Sequence, residues 1–79
     1  MEISNRTKDE IILLQGLGKT LKEIRESKNL TQEALAYESG FSRSYYTEVE
    51  NGKRNISLIN LKKLSVVLDV SMSEILKHL

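Results

Sequence analysis

The chain has 79 residues, 39% hydrophobic and 29% charged, with a net charge of +1. That length suits one small domain. It contains no cysteine, which excludes disulfides and thiolate metal sites, so packing must hold the fold, with help expected from a partner subunit.

Proline is also absent, and Leu and Ile dominate the apolar residues. Both features favour an all-helical fold. The longest purely apolar run, Ile11-Ile12-Leu13-Leu14, is too short for a membrane span or a signal core. A cytoplasmic protein without membrane contact is therefore expected. Basic residues Lys53, Arg54, Lys62 and Lys63 lie in an acid-free stretch from Asn51 to Leu68. Such a cluster serves equally as a solvated face or as a surface for DNA.

In chain order, Thr7-Lys8-Asp9-Glu10 reads as a capping box opening the first helix. Ile11, Leu14, Leu17, Leu21 and Ile24 then keep helical spacing. Gly16 and Gly18 each cost roughly 1 kcal/mol against Ala and leave a kink or break open. Asn29 suits a left-handed end to this helix. Thr31 caps a short second helix, Gln32 to Ser39, with Leu35 and Ala36 inward and Gly40 as its stop. Ser42 caps a third, ending near Asn51-Gly52. Ser57 caps a fourth, Leu58 to Leu68. Ser71-Met72-Ser73-Glu74 reads as a second capping box before a short fifth helix. The expected domain is single, over 1–79, with a core at 17–73 and a helical N-terminal extension at 1–16.

Helices two and three are separated only by Gly40-Phe41-Ser42, where Gly40 permits a sharp change of direction. Two short helices so joined, with Leu35, Ala36, Tyr46 and Val49 inward, describe a helix-turn-helix. Successive helical residues point about 100° apart, so adjacent Tyr45 and Tyr46 cannot share one environment. Tyr46 falls beside Val49 and belongs to the core. Arg43, Ser44, Thr47 and Asn51 fall on the other side. Tyr45 lies on the border beside Glu48, as a packing residue or as a DNA contact. The polar side would enter a major groove. Arg43 can bind guanine O6 and N7 with two hydrogen bonds, while Ser44 and Thr47 can hydrogen-bond or touch a thymine methyl. Glu48 can accept from cytosine N4. Gln32 begins helix two, where free N–H groups favour a phosphate.

The stretch TQEALAYESGFSRSYYTEVENGKRN resembles the XRE-type helix-turn-helix family, shared by lambdoid phage repressors, Cro, many bacterial regulators and antitoxins. Thr31-Gln32, Leu35-Ala36, Gly40, Ser42, Val49-Glu50 and Gly52 all fall at family spacing. The resemblance implies a compact five-helix, lambda-repressor-like all-α domain. It implies base contacts at Arg43, Ser44 and Glu48, to which Tyr45 and Thr47 are added from their position. It also implies backbone contacts in the loop at Asn51, Lys53 and Asn55, to which Thr31, Gln32 and Ser42, at the starts of helices two and three, are added. Arg25 and Glu50 are implied as a structural ion pair. Where many members have proline, this chain has Ile56. Arg-Asn-Ile-Ser at that place is similar to the controller proteins of restriction-modification systems, in which Arg54 would contact a base or the minor groove.

Helix four carries two apolar faces. Leu58, Leu61, Leu64 and Leu68 are expected to close the core. Ile59, Val66 and Val67, with Ile75, Leu76 and Leu79 of helix five, are expected at a homodimer interface. A symmetric dimer would set two reading helices about 34 Å apart on a palindromic duplex. The expected function is a transcriptional regulator of an inverted-repeat operator, with RNA polymerase as a further partner. An antitoxin or a phage-type repressor is the alternative. An enzyme is disfavoured, since His78 is the only histidine and no nucleophile–base set or metal-ligand spacing appears. No cofactor is expected.

Overall fold

A hydroxyl side chain precedes every helix and accepts a hydrogen bond from the backbone N–H three residues on. The computed structural model describes residues 5–79; residues 1–4 of the expected extension lie outside the described residues. Among the described residues there are five helices, α1 (Lys8–Ser27), α2 (Gln32–Ser39), α3 (Arg43–Glu50), α4 (Leu58–Leu68) and α5 (Met72–Leu76). The expected all-α, five-helix architecture is the observed one. Thr7, Thr31, Ser42, Ser57 and Ser71 are the N-caps, with N–H to hydroxyl distances of 3.0–3.1 Å. Glu10 completes a true capping box by accepting from the Thr7 N–H at 3.0 Å. The second expected box is only half formed. Ser71 caps, but the Glu74 carboxylate turns to Lys77, 3.0 Å away, instead of to the cap.

The ends of α1 to α4 share one geometry. Asn29, Gly40, Gly52 and Asp69 adopt positive φ. The following N–H reaches back to a carbonyl of the last turn, as in Phe41 to Ala36 at 2.8 Å and Lys53 to Glu48 at 2.8 Å. This left-handed cap satisfies carbonyls that the helix leaves free, and it turns the chain sharply. It is the reason eight-residue α2 and α3 can be joined so tightly.

Leu17, Leu21, Leu35, Ala36, Tyr46, Val49, Leu61, Leu64, Leu68 and Ile75 form the core. Two corrections concern α4 and α5. Leu58, expected inward, is 71% exposed. It lies within about 20° of buried Ser65 around the helix, so its exposure follows from its place at the first turn of α4 and not from its angle. Buried Ser65 takes a place on that inner face and donates to the Lys62 carbonyl at 2.7 Å. Ile75, expected at a subunit interface, is instead inside the chain's own core. Ile59 and Val66 are largely exposed, Leu76 and Leu79 partly so, and Val67 packs half-buried against the core.

The α1 helix runs unbroken through Gly16 and Gly18. At Gly18 the reason is close approach. A Cβ there would lie 2.2 Å from the Glu50 carbonyl oxygen and 2.8 Å from that of Val49. The backbones of α1 and α3 touch at this point, and only glycine allows it.

Candidate nucleic-acid interface

The end of α3 is anchored by charge. Arg25 of α1 donates from Nε to Glu50 Oε2 at 2.6 Å and from Nη2 to Oε1 at 3.2 Å. Its Nη1 donates to the Leu30 carbonyl at 2.8 Å. Both side chains are buried. The Tyr46 hydroxyl donates to Glu50 Oε2, and Gln32 Nε2 donates to Oε1 at 2.9 Å. Burial opposes the charge on Glu50. Hydrogen bonds from Arg25, Tyr46 and Gln32 outweigh it and hold the carboxyl below its ordinary pKa. The hydrogen bond to Glu50 in turn raises the pKa of Arg25. Burial first, then the bond to Glu50, push the Tyr46 phenol well above its usual range, so it stays protonated. Tyr46 is thus both core filler and donor. Tyr46→Phe removes a charge-assisted bond and is expected to lower stability by about 1.5–3 kcal/mol. Urea unfolding reads this directly; an unchanged midpoint at unchanged slope would show that the hydroxyl contributes nothing.

On the opposite edge of α3 the chain opens to solvent. A shallow depression is lined by Gln32, Arg43, Ser44, Thr47 and Glu48. The structure therefore brings together four of the residues expected to contact bases and one expected at the phosphates. Arg43 and Ser44 are exposed at the start of α3; Thr47 and Glu48 are half-buried. The Thr47 hydroxyl donates to Gln32 Oε1 at 3.1 Å.

The other two expected base readers stand apart from this depression. Tyr45 packs on the flank, its ring 5.0 Å from that of Phe41. Its hydroxyl accepts from Asn60 Nδ2 at 3.2 Å, bracing α3 against α4. The Arg54 guanidinium lies over the Tyr45 ring, 5.2 Å from its centre, and donates to Glu48 Oε1 at 2.7 Å. Of the two readings of Tyr45, packing describes its place within the chain. Asn51, Lys53 and Asn55 are exposed in the segment that follows α3, and Arg6 donates to the Lys53 carbonyl at 3.4 Å. A second depression, sharing Gln32 with the first, is lined by Gln15, Lys19, Lys22, Glu50 and Asn51. Lys19 and Lys22 were absent from the sequence-based expectation. The available signal was their three-residue spacing on the exposed side of α1.

Two short helices around a left-handed glycine, with one edge anchored in the core and the other presented to solvent, define a helix-turn-helix protein. Residues 21–75 match the family described as "Helix-turn-helix", and the chain belongs to that family. It is 46% identical over 59 residues to control protein C.MunI of a Mycoplasma species, covering 73% of this chain and 80% of that one. The restriction-modification controller protein C.AhdI from Aeromonas hydrophila superposes with a TM-score of 0.77 at 47% identity, covering 78% of this chain and 94% of the other. C.Esp1396I, another such controller protein, was solved as a tetramer in complex with its natural 35-base-pair operator. It superposes with a TM-score of 0.75 at 33% identity, covering 84% and 87% of the two chains.

Proposed function

We propose that this chain is a restriction-modification control protein, a transcriptional regulator that binds an inverted-repeat operator as a homodimer. The observation that carries the reading is the open edge of α3, where Arg43, Ser44, Thr47 and Glu48 meet Gln32. The kinship with control proteins supports it, as does the operator complex of C.Esp1396I. Arg43 reaches into the major groove to a guanine, with Ser44, Thr47 and Glu48 behind it. Thr31 and Ser42 accept from backbone N–H groups as caps, which leaves each hydroxyl proton free for a phosphate. Gln32, Asn51, Lys53 and Asn55 extend this backbone contact, with Lys19 and Lys22 added on α1. Arg54 reaches a base after leaving Glu48, and Tyr45 supports its stem. The exposed Ile59 and Val66, with Val67, Leu76 and Leu79, supply the dimer contact. RNA polymerase as partner and a cytoplasmic location complete the reading; catalytic turnover forms no part of it.

Selection of binding sites from random duplex DNA, with stoichiometry measured, tests this. A palindromic site occupied by an even number of chains is expected. Arg43→Ala should weaken cognate binding by about 1–3 kcal/mol and relax one base position, whereas Lys53→Ala should weaken all sequences alike and flatten the salt slope by about one. Equal losses on cognate and scrambled duplexes for both variants would refute the assignment.

A further inference from the structure

We infer that Thr47 is a specificity-determining residue that faces the groove as an acceptor, taking a hydrogen bond from an exocyclic base amine, adenine N6 or cytosine N4. The inference rests on the DNA-reading role proposed above and adds a direction to one of its contacts.

The direction is set inside the protein. Glu50 is paired with the Arg25 guanidinium and receives the Tyr46 hydroxyl. An ionised carboxylate only accepts, so the group of Gln32 that faces Glu50, 2.9 Å away, must be its NH2. The amide oxygen of Gln32 is thereby turned toward Thr47, 3.1 Å away. An amide oxygen also only accepts, so the proton between them comes from Thr47. That proton is committed, and what the Thr47 oxygen has left to offer is lone pairs. Thr47 lines the same open depression as Arg43 and Ser44, so those lone pairs are placed at the reading edge. At each base pair one strand's base presents an amine in the major groove, adenine N6 or cytosine N4, while its partner, thymine or guanine, presents only acceptors there, so an acceptor fixes which strand's base lies against Thr47. Against guanine or thymine, two acceptors would face each other. Ser44 has no such internal hydrogen bond among the described residues and can turn its hydroxyl either way. The buried carboxylate thus sets the sense of a contact on the far side of Gln32 without touching DNA.

Site selection with the whole 79-residue chain and three variants tests this, each variant first shown to fold by its thermal melt. The wild type should select one base pair at the position that responds to Thr47 changes, and its amine-bearing base, adenine or cytosine, says which amine is bound. Thr47→Ser should keep that choice. Thr47→Val, which retains shape but not the oxygen, should lose about tenfold of the preference. Gln32→Leu frees the hydroxyl to rotate and should admit the reversed base pair there. Wild-type protein on its selected site with that one exocyclic amine deleted should lose the same factor, which needs no variant to fold. An unchanged preference in Thr47→Val would overturn the inference, since the methyl would then be the reader, and so would indifference to the amine deletion. A wild type that selects no sequence at all would instead overturn the DNA-reading proposal and remove the ground for this one.

Discussion

Arg25→Ala is expected to lower the unfolding free energy by about 3–5 kcal/mol, because it strands Glu50 as a buried, uncompensated charge. Small domains have only about 5–15 kcal/mol in total, so this variant gives up a large share of its stability. The loss is not the worth of the pair. It is mainly the penalty on the carboxylate that remains, still holding Tyr46 and Gln32. The double variant Arg25→Ala/Glu50→Gln should therefore recover part of the loss, which urea unfolding would show. A double variant less stable than the single one would contradict this account. The pH dependence has a defined sign. The folded-state pKa of Glu50 is depressed. Its contribution is therefore fully present above the unfolded carboxyl value of about 4.3 and is lost as pH falls through the lower folded value. Acid unfolding of Glu50→Gln should lack that part of the slope.

The second large effect separates two neighbouring glycines. In isolation either Gly→Ala change in α1 would gain about 1 kcal/mol of helix propensity. At Gly18 the new methyl would meet the Glu50 and Val49 carbonyl oxygens at 2.2 and 2.8 Å. Backbone cannot yield as a side chain does, and overpacking of this kind costs about 3 kcal/mol. A net loss of about 2 kcal/mol is expected from these opposing figures. At Gly16 the nearest atom is Cδ2 of Leu79, at 3.1 Å. That is the tip of a partly exposed terminal side chain, which can move aside. Gly16→Ala should be neutral or stabilising by up to about 1 kcal/mol. Thermal melts of the two variants shifting in the same direction would count against the contact described.

Local chemistry made much of this legible in the sequence. A hydroxyl before a periodic stretch marked each helix start, because the hydrogen bond it makes is only three residues long. The angles around α3 separated Tyr46 from Arg43, since helix geometry alone fixes them. What needed the neighbour's position was not legible. Gly18 reads as a weak point of a helix until the backbone of α3 is laid against it. Leu58 fits the inner spacing but stands at the first turn of its helix, where the chain leaves it uncovered. Ile75 reads as surface because the sequence does not say how far α5 folds back. The inward turn of Gln32, the Glu48–Arg54 pair and the Tyr45–Asn60 bond join side chains 18, 6 and 15 residues apart in the chain. No local rule proposes such partners.

The touching backbones at Gly18 have a mechanical consequence. With α1 and α3 in direct main-chain contact and Arg25 clasping Glu50 just beside it, the reading helix has no independent hinge. In the DNA-bound dimer proposed above, a poor fit to the pitch of a duplex must then be absorbed at the subunit contact or by the nucleic acid. To the extent that the duplex yields, supple base steps at untouched positions should be favoured over stiff ones, purely on elastic grounds.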